Sequence, residues 1–142
     1  MLREDISTIQ EAFDYVTEKL VLQGERCMVD NYGSEFYYSC SYGDGNGGNC
    51  GIGKLLDPND VTLMLYKGGV GDLYNEYPDK MPKVINSKNL PFLNELQWFH
   101  DSGGSDDRYK VLNTMMNEHK ITINNGYAMA WVNLGTGETI YE

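Results

Sequence analysis

The sequence predicts a single α+β domain over residues 1–142, with three or four helices, a short antiparallel hairpin and a C-terminal β meander. Three observations carry this expectation. Ile9, Phe13, Val16 and Leu20 recur at intervals of 4, 3 and 4 residues, one face of a helix. An aromatic, β-prone run from Phe36 to Tyr42 ends in a Gly/Asn/Asp cluster, and Cys50 to Leu56 can return as its partner strand. After Lys120 the period changes, and Asn125-Gly126 and Gly135-Thr136-Gly137 punctuate alternating β-prone runs.

Each element follows in order. In the first helix Asp5 or Ser7 can cap the start, Ser7 with Gln10 fits the capping-box spacing, and Gly24 is placed to stop it. The hairpin spans Phe36 to Leu56. Asp57 as N-cap and Pro58 at the first helical position predict a short helix through "LLDPNDVTLMLY". Lys67 to Asn89 carries glycines and prolines without a sustained period and predicts a long irregular connection. "NLPFLNELQWFHDSGG" predicts a helix with Pro91 near its start and Leu93 and Leu96 on one face. A further helix starts at Ser105, with Tyr109, Leu112 and Met116 on its stripe.

At 142 residues one core can bury roughly 68% of the unfolded chain's surface, so no disulfide or metal is required merely to hold the fold. The 11 basic and 21 acidic residues give a formal charge of −10. Such a field repels nucleic acid and anionic membranes and favours basic partners, so direct nucleic-acid binding is not expected. The 3 cysteines cannot all pair within one chain. No apolar run approaches membrane-spanning length and the N-terminus lacks an apolar leader core, which predicts a soluble protein of a reducing cytoplasm.

One stretch imitates a phosphate loop. From Gly48 the chain reads G-x-x-x-x-G-K through Gly53 and Lys54. That loop needs Ser or Thr after the lysine to hold Mg²⁺, and Leu55 stands there. It also needs a long helix to follow, and Asp57-Pro58 interrupts. Gly43, Gly45 and Gly48 spell G-x-G-x-x-G equally without strand-to-helix context. Read as a calcium loop, Gly48, Asn49 and Leu55 occupy positions that need a ligand, a glycine and a glutamate. The stretch reads as a turn.

Cys40 and Cys50 flank that turn with nine residues between them, and His100 and His119 lie downstream. Soft thiolates and imidazole can hold zinc, so Cys40, Cys50 and His100 are candidate ligands, although the close cysteine pairs of structural zinc sites are absent. Buried thiols are the simpler reading. Cys50, His100 and Asp101 can be drawn as nucleophile, base and orienter, but adjacent helical residues point in different directions. A helix end with a polar tip explains them, and no catalytic residue is assigned. Glu11, Asp14 and Glu18 recur at spacings of 3 and 4 on the outer face of the first helix. They read either as a solvated face or as a row of carboxylates imitating DNA phosphates.

Three pieces resemble a family of small accessory proteins of tailed bacteriophages and prophages: "VTEKLVLQG", "CSYGDGNGGNCGIGKLL" and "LPFLNELQWFHD". Cys40, Tyr42, Cys50, Gly53 and Leu55 match its Cys-x-Tyr, turn, Cys-x-x-Gly pattern, and Leu93, Leu96, Gln97, His100 and Asp101 match its third piece. The turn departs from the family, with Asp44, Asn46 and glycines where basic residues are common, and the tail after Lys120 departs as well. The resemblance implies viral origin and a non-virion role in the host cytoplasm. It carries over no catalytic residues.

The functional expectation is a non-enzymatic accessory protein that binds and inhibits a host protein, most directly to disarm a defence system. Tyr37, Tyr38, Tyr42 and Lys54 are its candidate binding residues, because tyrosine supplies contact area at low entropic cost. Alternatives are a sponge for a nucleotide signal, an acidic DNA mimic and a zinc-bearing module. The hairpin and the Lys67–Asn89 connection are expected to lie on one side and form the working surface, with the first and last helices as scaffold.

Overall fold

The computed structural model describes residues 2–23, 29–30, 38–39, 51–66, 68–102 and 104–135. Among them the protein is helical, with six α-helices: α1 (Ile9–Gln23), α2 (Val61–Met64), α3 (Val70–Glu76), α4 (Leu90–Asp101), α5 (Ser105–Glu118) and α6 (Tyr127–Asn133). Short 3₁₀ turns at Arg3–Asp5, Ile52–Leu55 and Pro78–Lys80 join them. The extended pairing among the described residues is a two-residue antiparallel ladder of β1 (Val29–Asp30) with β2 (Tyr38–Ser39).

The α+β expectation is therefore overturned. Where a return strand was expected, Ile52–Leu55 coils into a 3₁₀ turn that buries Ile52, Gly53 and Leu55. Where the meander was expected, Tyr127–Asn133 is α6. Asn125-Gly126 is not a hairpin turn; the Asn125 side chain accepts from the Tyr127 N–H at 2.9 Å and starts a helix. Ile121 to Asn124 has no helical or strand assignment, and the Gln10 amide engages it in place of a neighbouring strand. That amide donates to the Thr122 carbonyl at 2.9 Å and accepts from the Thr122 N–H at 2.8 Å. The stretch after 135 and most of the hairpin lie outside the described residues.

The first helix forms as its apolar spacing dictates, burying Phe13, Val16 and Leu20. Its cap differs from the expected Ser7–Gln10 pair. Thr8 Oγ1 accepts from the Glu11 N–H at 3.1 Å and Glu11 Oε1 accepts from the Thr8 N–H at 3.2 Å, a reciprocal capping box one residue later. Asp60 rather than Asp57 caps α2, accepting from the Leu63 N–H at 3.2 Å, so the helix begins three residues beyond Pro58. The stretch expected to be irregular contains α3, whose Val70 and Leu73 are buried; Gln97 of α4 accepts from the Val70 N–H at 3.1 Å.

α4 is the central element, with contacts to α1, α3 and α5. It buries Phe92, Leu93, Leu96 and Phe99, and Phe99 stacks on Phe13 of α1 at 6.2 Å between ring centroids. On α5 the buried stripe is Arg108, Leu112 and Met115, while the expected Tyr109 and Met116 face outward. The reason is Arg108. Its guanidinium lies 4.1 Å from the Trp131 ring centroid and donates to the carbonyls of Ser102 (2.7 Å) and Trp131, which rotates the helix by one residue from its purely apolar register. Trp131 Nε1 donates to the Phe99 carbonyl at 2.8 Å, so one aromatic and cationic cluster ties α4, α5 and α6 together.

Candidate functional site

Two grooves and one buried histidine carry the chemistry among the described residues. The first groove, about 480 Å³, lies where α1 meets the N-terminal 3₁₀ turn and the Ile52–Leu55 turn. Tyr15, Lys19 and Gln23 succeed one another at four-residue spacing down one flank of α1, so they share a face. The Ile52–Leu55 turn buries its apolar side chains against the core and leaves Lys54 half-buried at the groove. There its ammonium donates to Gln23 Oε1. Arg3 enters from the other side, its Nη1 donating to the Leu55 carbonyl at 3.4 Å. Lys19 Nζ lies 5.3 Å from the Tyr15 ring centroid, a cation–π contact.

Three of the chain's 11 basic residues thus converge on one groove, and no carboxylate is among the described residues that line it. Asp57 is adjacent in sequence, but its carboxylate accepts from the Asn59 N–H at 3.0 Å.

The second groove, about 450 Å³, runs between α4 and α5 and is lined by Trp98, Asp101, Ser102, Asp107, Lys110 and Val111. Trp98 is 65% exposed. It falls two residues beyond Leu96, on the far side of α4 from the apolar stripe, which is why the core does not take it up.

His100 lies inside the protein, 1% exposed, between the rings of Phe99 and Trp131. Neither ring nitrogen has a hydrogen-bond partner among the described residues. Burial first, and the Arg108 cation second, push it down to about 3, so it is neutral at physiological pH. Gly51 packs so closely that a Cβ there would sit 2.5 Å from Nδ1. Asp101 lines the α4–α5 groove instead, so the base and the orienter that the sequence allowed to be drawn face different environments, as adjacent helical residues do. Cys40 and Cys50 lie outside the described residues. Among the described residues, no group of three or more His, Cys, Asp or Glu could hold a metal ion.

The carboxylates of the first helix divide. Glu11 is occupied at the capping box, where the backbone N–H groups of Ser7 and Thr8 hold its carboxyl below the usual range. Asp14 accepts from Gln10 at 3.2 Å and from Asn124 at 3.3 Å. Glu18 is half-buried at the same outer face.

Of the tyrosine candidates, Tyr37 and Tyr42 lie outside the described residues, and for Tyr38 only the backbone pairing with Asp30 is described. Lys54, a candidate read from the sequence, lies at the first groove. Arg3, Tyr15, Lys19 and Trp98, which also line the two grooves, were not singled out from the sequence. A tryptophan off the apolar stripe of a helix was a readable signal; the meeting of Arg3 with Lys54, 51 positions apart, was not. No helix among the described residues is long and apolar enough to cross a membrane. Comparison with protein-family models, curated proteins and solved structures returns no match.

Proposed function

We propose that this protein works by binding rather than by turnover: an acidic accessory protein of bacteriophage type that engages a host protein in the cytoplasm and disarms a defence system. The observation that carries the reading is Trp98, 65% exposed at the edge of a concave surface between α4 and α5. An indole left in water beside a groove is a large apolar area awaiting a cover, and tryptophan is among the residue types that dominate interface energetics. Asp101 and Asp107 border it, and the net charge of −10 favours a partner with a basic face.

The test is phage plating on cells that each carry one of a defined panel of defence systems, with the protein expressed in trans. The reading expects restored plaque formation against at least one system, and roughly tenfold weaker rescue by Trp98→Ala. No rescue across the panel, or rescue that Trp98→Ala leaves untouched, would contradict it.

A further inference from the structure

We infer that Asn125–Gly126 is a site of covalent self-modification in the folded protein, where the Gly126 amide nitrogen attacks the Asn125 side-chain amide and leaves an aspartyl or isoaspartyl linkage. The inference does not rest on the Trp98 face. Asn125 and Gly126 are both exposed, so water reaches the pair. The Gly126 N–H makes no hydrogen bond among the described residues, so the attacking nitrogen is not tied up as the N–H groups inside a helix are. The Tyr127 N–H donates to Asn125 Oδ1 at 2.9 Å, which folds the side chain forward across the Gly126 peptide and polarises its carbonyl. As nitrogen adds to Cγ, negative charge gathers on Oδ1, where that N–H already points. The contact that starts α6 thus doubles as an oxyanion donor. With no Cβ on residue 126, nothing shields the nitrogen as it approaches.

The step balances without any oxidant or cofactor. A bond forms between the Gly126 nitrogen and Asn125 Cγ, closing a cyclic imide. The bond from Cγ to Nδ2 breaks, and the proton from the Gly126 nitrogen leaves with the amide as ammonia. Water then adds to one of the two imide carbonyls. Opening on one side gives aspartate; opening on the other gives isoaspartate, with the main chain routed through the former side chain. The two products differ in consequence. Aspartate keeps an oxygen acceptor for the Tyr127 N–H at the start of α6. Isoaspartate inserts one methylene, about 1.5 Å of extra main chain, between anchored ends. On one side the Gln10 amide grips Thr122 through two bonds, and Asn124 donates to Asp14 at 3.3 Å. On the other, α6 buries Ala128, Trp131 and Val132. The start of α6 must therefore shift from its seat.

The test is incubation of the full chain in mildly alkaline buffer, with and without urea, followed by peptide mapping and mass spectrometry. Mapping separates this pair from the chain's other Asn-Gly pair, Asn46–Gly47. An isoaspartyl methyltransferase labels the rearranged product. Asn125 is expected to convert at least as fast in the folded protein as in urea. Gly126→Ala, whose Cβ meets open space at φ −82°, should fold as the native chain does and slow conversion about tenfold. The isoaspartyl fraction should unfold at lower urea than native protein, while Asn125→Asp unfolds at or above it. Slower conversion in the folded protein than in urea would overturn the inference, as would a Gly126→Ala variant that converts at the native rate. An isoaspartyl fraction with the native urea midpoint would overturn the strain expected at α6.

Discussion

Mild acid should destabilise this protein through His100, well before its carboxylates protonate. In the unfolded chain the imidazole takes up a proton near its ordinary value of 6.5; in the folded protein, burial and Arg108 delay that to about 3. Between those values the unfolded state binds one more proton, so stability is complete above pH 6.5 and is lost as the pH falls. Among the described residues around the ring, Arg108 from α5 is the cation, while Phe99, Trp131 and Gly51 supply apolar contact. One proton corresponds to about 1.4 kcal/mol per pH unit, so the step from pH 6 to pH 4 removes roughly 2 to 3 kcal/mol. That is a large part of the stability of an ordinary domain. The assay is urea denaturation followed by circular dichroism at pH 7, 6, 5 and 4, on the native protein and on His100→Leu. Glu11 and Asp60, whose carboxyls are held low by the N–H groups of Ser7 and Thr8 and by Lys80 respectively, add losses at lower pH. Those losses are common to both proteins and cancel in the difference. Because neither ring nitrogen is paired, His100→Leu should be near neutral at pH 7 and shallower below pH 6. Parallel pH curves for the two proteins would show that His100 does not carry the acid sensitivity.

Other outcomes follow from single contacts. Thr8→Ala removes the hydroxyl that accepts from the Glu11 N–H and should cost about 1 kcal/mol of stability, read as a lower urea midpoint with unchanged slope. Gly51→Ala places a methyl 2.5 Å from His100 Nδ1 and 3.0 Å from its Cβ, against a ring held on several sides. It should cost on the order of 1–3 kcal/mol, and much of that should return in the double variant with His100→Ala. Elemental analysis of reduced protein purified without added metal should find far less than one zinc per chain, since the Arg108 cation opposes a second positive charge at His100; one equivalent, lost with His100→Ala, would establish zinc there.

The helices that advertise themselves by period were legible. The Phe13–Val16–Leu20 and Leu93–Leu96 stripes are buried as their spacing requires, because a helix that must cover a core repeats its apolar residues every turn. What misled was punctuation. Asn125-Gly126 reads as a hairpin turn when flanked by β-prone residues, yet an asparagine side chain can equally start a helix, and the packing of Ala128, Trp131 and Val132 decides between them. α3 was hidden because seven residues hold only two buried apolar positions, too few to show a period, and its first N–H is satisfied by Gln97. The stripe of α5 was misread because Arg108 is a buried charge that earns its place through Trp131, and a pattern of apolar residues cannot show that. α5 also ends without a glycine: Lys120 takes the left-handed conformation at φ 58°. The sites were less legible than the fold. Lys54 was singled out for its place in a glycine-rich stretch, whereas Arg3 and Lys19, which line the same groove, come from remote segments that only folding brings together.

Under the proposed function, Trp98 marks the surface through which the protein engages a basic host partner. The direct measurement is quantitative affinity capture from host extract, with native protein and Trp98→Ala as baits at matched concentration, followed by reconstitution of the captured partner with purified components. The claim predicts one basic partner enriched by the native bait, bound in reconstitution, and held at least tenfold more weakly by Trp98→Ala, with Lys19→Gln behaving as native. A partner retained equally by both baits, or no partner that binds in reconstitution, would contradict it.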